Sequence, residues 1–546
     1  MNIETIKTAV LVIGAGPTGL TLANILGQGG VRTVVIDRKE STVGEPRAVS
    51  IDDESLRTMQ AIDLVKDVLK NVVTGYGVHY LTKPGGRCFA KVEPTASEYG
   101  YPRRNAFRQP LFEATLREGL DRFPSVTTHF GHTLQSFVQH EDGVIATVIK
   151  ADGSTACIHA DYLVGTDGGR STVRELLNVP MSGSTFKSRW LVIDTENDDD
   201  TFWQTRVYCD AKRPVVDVPG PHHTRRYEIL IHPHEDAEHA MTPERVTELL
   251  RPFRNGRPTD IVRKVVYTFH ARMADKWREN RVFLAGDAAH LTPPYAGQGL
   301  NSGIRDAHNL GWKLVALHNG ILTNLALDSY ETERRPHAWS LIKLALNLGV
   351  VMAPKTRLHA WIAQTFFTLS AYVPPVRDYF LQMKFKPKPQ YANGLLGPDL
   401  TSGMRGHMFS QPTVLLTDGR ETLLDDVIGH RFALISYGSV PTLKHPLWRT
   451  TNAIRIAIFP SGSDAQASEK TDSVIVIDKN DRLRTFFEKN KDHIAFLRPD
   501  RYVAGLFTSS TEEIFADDFS ATLDSGVTVE WNERTAYSTV QERVTL

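Results

Sequence analysis

The chain has 546 residues, 41% of them hydrophobic and 23% charged, and its 63 basic and 63 acidic side chains leave no formal net charge. That balance excludes a strongly cationic nucleic-acid binder, and ordinary Gly and Pro usage excludes a fibrous or low-complexity chain. At roughly 100–200 residues per domain, the length accommodates about two to four domains and a large core.

The three cysteines, Cys88, Cys157 and Cys209, lie far apart and form no CxxC pair. Neither a disulfide framework nor a zinc ribbon is expected, and a reducing compartment is. The start, MNIETIKTAVLVIGAG, has an early acid and a glycine turn where a signal peptide carries a longer apolar stretch. A cytoplasmic location is the expectation.

The first strong pattern is a β-branched run, Val10 to Ile13, entering Gly14-Ala15-Gly16-Pro17-Thr18-Gly19. A helical stretch follows from Leu20 to Gly27, and a second apolar run, Thr33 to Ile36, ends on Asp37. Gly14 permits a tight turn, Gly16 lets backbone approach a pyrophosphate, and Gly19 allows helix and strand to pack closely. The N–H groups and dipole of the helix start favour an anion, and Asp37 suits ribose hydroxyls. A GxGxxG string alone is common; strand, helix and acid at the right spacing make a dinucleotide site. The fingerprint leaves NAD and FAD both open.

Further along, Asp161 to Thr166 reads as a strand delivering Asp167-Gly168-Gly169-Arg170-Ser171-Thr172-Val173-Arg174. Residues 72–100 and 181–270 have period-2, β-branched character, as in Tyr227 to Ile231 and Lys264 to Thr268, and read as an inserted sheet layer. Arg281 to Ala285 is another strand, delivering Gly286-Asp287-Ala288-Ala289-His290. Carboxylates at the carboxyl ends of strands are placed where open α/β sheets bind ligands, and two beyond Asp37 suit an extended cofactor such as FAD. Gly297-Gln298-Gly299-Leu300-Asn301 then opens a segment with helical apolar spacing through Leu317. The stretch from Tyr330 to Phe385 reads as mainly helical. Within it, Ala360 to Val376 is uncharged but falls short of a membrane span, and reads as a buried or interface helix. After the Pro- and Gly-containing stretch Lys386 to Gly406, strands such as Phe432 to Ile435 and Ser473 to Ile477 recur.

In order, the glycine turn, the Asp167-Gly168 motif and the Gly286-Asp287 motif resemble those of the single-component FAD-dependent aromatic hydroxylases, the group of 4-hydroxybenzoate hydroxylase and phenol hydroxylase. The segments Arg47 to Glu54, Pro102 to Phe107, Phe385-Lys386-Pro387 and Arg498 to Val503 look more closely like the 3-(3-hydroxyphenyl)propionate hydroxylases. Before the Gly-Gln-Gly turn, Thr292-Pro293-Pro294-Tyr295-Ala296 departs from the bulkier, tryptophan-bearing segment expected in that subgroup.

The resemblance implies an α/β fold with a Rossmann-like FAD-binding domain in three pieces, 1–71, 101–180 and 271–345. A sheet-rich substrate domain (72–100 and 181–270), a helical connection (346–395) and a thioredoxin-like domain without redox cysteines (396–546) complete it. It assigns Gly14, Gly16, Thr18, Gly19, Asp37 and Arg38 to the ADP half of FAD. It places Arg47, Gln109, Asp167, Arg174, Gly286 and Asp287 near the cofactor, and Gly297, Gly299, Leu300 and Asn301 under the flavin ring. Pro293, Tyr295 and Gly297 would line the site where oxygen meets the flavin.

The activity so implied is hydroxylation of a phenolic aromatic acid or related small aromatic, with NADH or NADPH as reductant and O₂ as co-substrate. The rivals are a hydroxylase of another phenol or heteroaromatic, and a reductase or carrier on the same fold. Arg189, Trp190, Trp203, Tyr208, Arg226 and Tyr227 are candidate substrate contacts. His232-Pro233-His234 beside Glu235 offers too few ligands for a metal, so none is expected. No nucleic-acid or membrane partner is expected, and a homodimer is admissible.

Overall fold

The computed structural model describes residues 4–42, 44–254, 260–398, 400, 403–463 and 472–525. Its first strand, Glu4–Ile13, is buried throughout its second half. Thr33–Asp37 and Thr155–Gly165 flank it in parallel, and Val282–Leu284 runs parallel to Thr155–Gly165. Parallel strands covered on both faces need continuous apolar sequence. Val10 to Ile13, Val34 to Ile36 and Val282 to Leu284 supply it, all of them buried.

Ile13 stands opposite both Ile36 and Gly165, and Gly165 opposite Leu284. This register ends four strands at one edge, so Gly14, Asp37, Thr166 and Ala285 leave the sheet side by side. Three backbone bonds hold them there: Gly14 N–H to Ile36 O (2.8 Å), Thr166 N–H to Ile13 O (2.8 Å) and Ala285 N–H to Gly165 O (3.0 Å). Two helices, Pro17–Gln28 and Gly299–His318, cross behind this edge in close contact. A Cβ at Gly311 would lie 2.8 Å from Ile25 Cγ2, so the approach depends on small residues.

A second, eight-stranded sheet is built mainly from residues 181–274 and is antiparallel except where Thr205–Tyr208 meets Val78–Leu81. Met181–Glu196 pairs with Asp260–Ala274 from Met181↔Ala274 to Glu196↔Asp260. Its limits differ from the expected substrate domain in two places. Val72–Thr74 pairs instead with Asn105–Phe107 in a small three-stranded sheet. The eight-stranded sheet also gains Ala271–Ala274 and His290–Leu291, because Asp260–Ala274, the partner of Met181–Glu196, runs on to pair with His290–Leu291. The sheet thereby touches the cofactor-motif region directly.

The C-terminal region carries a seven-stranded mixed sheet in the order Glu421–Leu423, Thr413–Leu416, Ser473–Asp478, Ile454–Phe459, Ala433–Tyr437, Ile494–Leu497, Val503–Phe507. Trp312 and Ala316 of the long helix share a core with its Phe432, Phe496 and Phe515. Deeper, the fully buried Arg498 donates to both oxygens of Glu333 (2.6 and 2.8 Å) and to Asp500 (2.6 Å). A buried guanidinium needs such full pairing to offset its desolvation.

The segment expected to be a buried or interface helix forms Arg357–Ser370, in which only Ala360 is buried. Phe367 turns inward against Phe89 and Phe380, while the opposite face is exposed. No helix among the described residues is long and apolar enough to cross a membrane.

Candidate active site

At the shared strand edge, the motifs touch. A Cβ on Gly14, whose φ is +108°, would lie 2.6 Å from Thr166 O and 2.9 Å from Asp167 Cα. A Cβ on Gly286, also left-handed, would lie 2.5 Å from Thr18 Oγ1. Glycine at both positions is what lets three turns meet. Gly16, in contrast, has nothing within 4 Å of its Cβ direction, so it opens onto free space. Gly16 is also the N-cap of Pro17–Gln28, and no side chain caps that helix. Its first N–H groups and dipole are therefore available to an anion.

The acids divide by what they already hold. Asp37 accepts from Ala15 N–H (2.7 Å) and from Lys39 N–H (2.8 Å), so it also fixes the glycine turn. Asp167 accepts from Ser171 Oγ (2.5 Å) and Val173 N–H (3.2 Å), and burial raises its pKa. Among the described residues, Asp287 makes no such bond. Its carboxylate is exposed, yet the protein around it is dense enough to raise its pKa, against His290 and Arg47.

Other expected site residues are committed to protein. Gln109 accepts from Ala48 N–H (2.6 Å) and donates to Glu113 (2.7 Å). Arg174 donates to Ala288 O (3.0 Å) and Gly169 O (2.9 Å), tying the second motif to the third. Asn301 Nδ2 donates to Gly297 O (2.7 Å) and Ser50 O (3.1 Å), while its Oδ1 accepts from Asp52 N–H and Ser55 Oγ. Its side chain has nothing left for a ligand, whereas the backbone of Gly299, Leu300 and Asn301 opens a helix without a side-chain cap. Arg38 and Arg47 are exposed.

Pro293 is buried and leads a short turn, Pro294–Ala296, that ends on left-handed Gly297. Tyr295 from that turn meets Trp190 (6.0 Å), Phe269 (5.7 Å) and Phe186 (6.2 Å) edge to face, and Trp190 stacks on Phe269 at 5.7 Å. Gly349 makes room for the ring: a Cβ there would lie 2.8 Å from Tyr295 Cε2. An aromatic wall thus connects the second sheet to the Gly297 turn.

Of the six candidate substrate contacts, only Trp190 lies in that wall. Tyr208 and Tyr227 pack on Phe253, on the far face of the sheet. Arg189 donates to Glu235 O (2.6 Å) and Trp203 is exposed. Arg226 pairs with Asp194 (2.7 Å) and donates to Pro46 O (2.5 Å), which holds the segment carrying Arg47. Glu235, beside the two histidines, is ion-paired to Arg213 (2.8 Å) and Arg245 (2.7 Å).

Glu228 was not singled out by the sequence. It stands opposite Val192 and Val216, on the same sheet face as Trp190, with Asp194 and Arg226 two residues further along that face. Its nearest cation is Arg226 at 4.0 Å, and it makes no hydrogen bond among the described residues. Burial raises its carboxyl, and its charge in turn helps raise the Tyr295 hydroxyl, which burial raises first. The only legible signal was an acid interrupting the apolar strand Tyr227 to Ile231.

Asp52, Asp53 and Glu54 cluster within cation-binding distance of one another. Their counterions are already present: Lys386 reaches Asp52 (3.0 Å) and Glu54 (2.7 Å), and Arg305 reaches Glu54 (2.6 Å) and also pairs with Asp52.

The open space at Gly16 and the two helix starts without side-chain caps leave backbone N–H groups for an anionic cofactor such as FAD, and Asp287 is exposed beside them. The FAD binding domain family matches residues 7–345, and the HcaD C-terminal domain family matches 406–522. The 3-(3-hydroxy-phenyl)propionate/3-hydroxycinnamic acid hydroxylase of Klebsiella pneumoniae strain 342 is 39% identical over 538 residues, covering 96% of this chain and 97% of the relative. That of Shigella sonnei is 41% identical over 504 residues, 91% of each. Among solved structures, the flavin-dependent monooxygenase PieE, in complex with FAD and substrate, covers 95% of this chain and 99% of its own at TM-score 0.80 and 20% identity. The p-nitrophenol 4-monooxygenase PnpA from Pseudomonas putida DLL-E4 covers 70% of this chain and 98% of its own, at 0.65 and 26%.

Proposed function

The chain belongs to the FAD-binding-domain family of aromatic hydroxylases, and from that premise we propose that it hydroxylates a phenolic acid of the 3-(3-hydroxyphenyl)propionate or 3-hydroxycinnamate type. The observation that carries the reading is the wall of Trp190, Phe269 and Tyr295 beside the Gly297 turn, with the Glu228 carboxylate on the same sheet face, 4.0 Å from Arg226. Bound here, FAD would supply the chemistry of hydride acceptance from NADH or NADPH and of O₂ activation for insertion of one oxygen atom.

The residues of this chain divide the remaining work. The N–H groups of Gly16, Thr18 and Gly19 would receive the pyrophosphate, and Asp287 the polyol chain. Backbone N–H groups from Gly299 to Asn301 would favour negative charge on a ring held at this helix start. Pro293 and Pro294 bring no N–H donor to the approach and stiffen it. The aromatic wall stacks the substrate ring and excludes water from the reacting side. Glu228 accepts the proton of the ring hydroxyl, since a phenolate directs oxygen to its neighbouring carbon better than a phenol. The C-terminal region contains no cysteine, so its role is assigned to docking rather than thiol chemistry.

The test is a screen of phenolic acids for stimulated NAD(P)H oxidation, with O₂ uptake and product mass followed together. A mass gain of one oxygen on a 3-hydroxyphenyl acid is the expected result. Stimulation without product on every 3-hydroxyphenyl acid would overturn the substrate assignment. Tyr295, standing where the resemblance leads one to expect a bulkier, tryptophan-bearing segment, favours one second reading, a differently shaped phenol or heteroaromatic, and the same screen includes these.

A further inference from the structure

The helix Arg357–Ser370 is apolar on both faces, a pattern that belongs to helices covered on both sides. One face is covered by the edge of the eight-stranded sheet, where Phe367 meets Phe89 and Gln364 Nε2 donates to Cys209 O (3.3 Å). On the other face, Leu358, Trp361, Ile362, Phe366 and Leu369 recur at helical spacing and continue into Tyr372. These six side chains are between 51 and 81% exposed. No Asp, Glu, Lys or Arg interrupts the chain between Arg357 and Arg377.

The size of the face decides what covers it. With full side-chain areas of roughly 150–250 Å², the six present about 750 Å² of apolar surface. The largest patch on an ordinary monomer is about 300–600 Å². A stable interface buries about 800 Å² on each partner, with an apolar centre and charges at the rim. Here the rim is also in place, with Lys355 and Arg357 before the face and Arg377 and Asp378 after it.

We propose that this face is the contact between two copies of the chain, related by a two-fold axis that sets one Arg357–Ser370 helix antiparallel against the other. Two-fold contacts are self-complementary, and an uncharged stripe on a straight helix meets its own copy without juxtaposing like charges. Antiparallel helices also oppose their dipoles favourably. Trp361 and Phe366 lie near the middle of the stripe, where anchor residues of an interface concentrate.

Sedimentation of the FAD-loaded protein between about 1 and 50 µM, a range bracketing micromolar affinity, is the test. A dimer is expected, with Phe366→Glu sedimenting as a monomer that keeps its FAD content and its melting temperature. Should that variant fail to fold, Trp361→Ala removes an exposed side chain and should raise the dimer dissociation constant at least tenfold. A monomeric wild type overturns the proposal, and so does a variant pair that dimerises as the wild type does. The same samples are floated with phosphatidylcholine–phosphatidylglycerol vesicles. A monomer that partitions onto them assigns the face to a lipid surface and overturns the proposal as well.

Discussion

The carboxylate of Asp306 lies 2.7 Å from His290 Nε2, and the same oxygen accepts the Gly286 N–H at 3.0 Å. Its other oxygen accepts from Arg334 (2.9 Å). Burial raises this acid, but His290 and Arg334 outweigh it and hold the pKa at about 2. The long helix therefore fixes the Gly286-Asp287 turn through one ionised residue. Asp306→Asn should weaken FAD binding about tenfold or more, as expected when one partner of a buried charged bond is removed. Flavin fluorescence titration checks it. Unchanged affinity would show that the turn holds its shape alone.

Glu228→Gln removes the carboxylate that shares a sheet face with Trp190. General-base contributions run to about 10²–10⁴-fold, and turnover of a phenolic substrate should fall by about 10²-fold at neutral pH. In the wild type, activity should rise with pH as the raised carboxyl ionises, and that limb should be missing in the variant. A variant that retains the wild-type pH profile would place the proton elsewhere.

Gly349→Ala sets two effects against each other. Alanine is favoured over glycine in a helix by about 1 kcal/mol, yet its Cβ would lie 2.8 Å from the Tyr295 ring. The melting temperature should stay near that of the wild type while the ring is pushed into the wall. A several-fold rise in KM with unaltered FAD content is the expected kinetic result, and an unchanged KM would detach Tyr295 from substrate binding.

Arg498→Met leaves Glu333 and Asp500 buried without their guanidinium. Breaking a buried pair on one side costs about 3–5 kcal/mol. Denaturant unfolding should show that loss, with earlier proteolytic release of the C-terminal region. A loss below about 1 kcal/mol would mean that the shared core around Trp312 and Phe496 suffices for docking.

Asp53 carries a pH signature. Burial, with Asp52 and Glu54 nearby, raises its pKa to about 7 although Lys386 lowers it. Because the folded value exceeds the unfolded one, its contribution is full below about pH 4 and is lost as pH rises through about 7. Asp53→Asn should therefore gain stability over the wild type by on the order of 1–3 kcal/mol at pH 8, with little difference at pH 4. Thermal melts at the two pH values check this, and equal differences at both would refute it.

Local backbone demands made much of the fold readable. Gly14, Gly16, Gly19 and Asp37 follow from the needs of one strand–turn–helix unit, and the strands leading to Asp167 and Gly286 announce themselves as apolar runs. Side-chain commitments were not readable. Nothing in the spacing shows that Asn301 and Gln109 spend their amides on protein, or that Arg226 holds Pro46 O, because those partners are distant in sequence. Glu228 escaped notice for the same reason, since its environment is made by Val192 and Val216 on other strands. The outward face of Arg357–Ser370 was legible as apolar, but its exposure depends on which side the sheet edge covers.

The register that aligns Ile13, Gly165 and Leu284 joins three segments separated by more than a hundred residues each. Pairings over such separations are non-local contacts, which form only after their loops close. A nascent chain ending before Val282 has the glycine turn and Asp167 but lacks the strand that presents Asp287. Cofactor capture thus becomes a late event in the life of the polypeptide, and a chain truncated at that point has only part of a flavin site to offer.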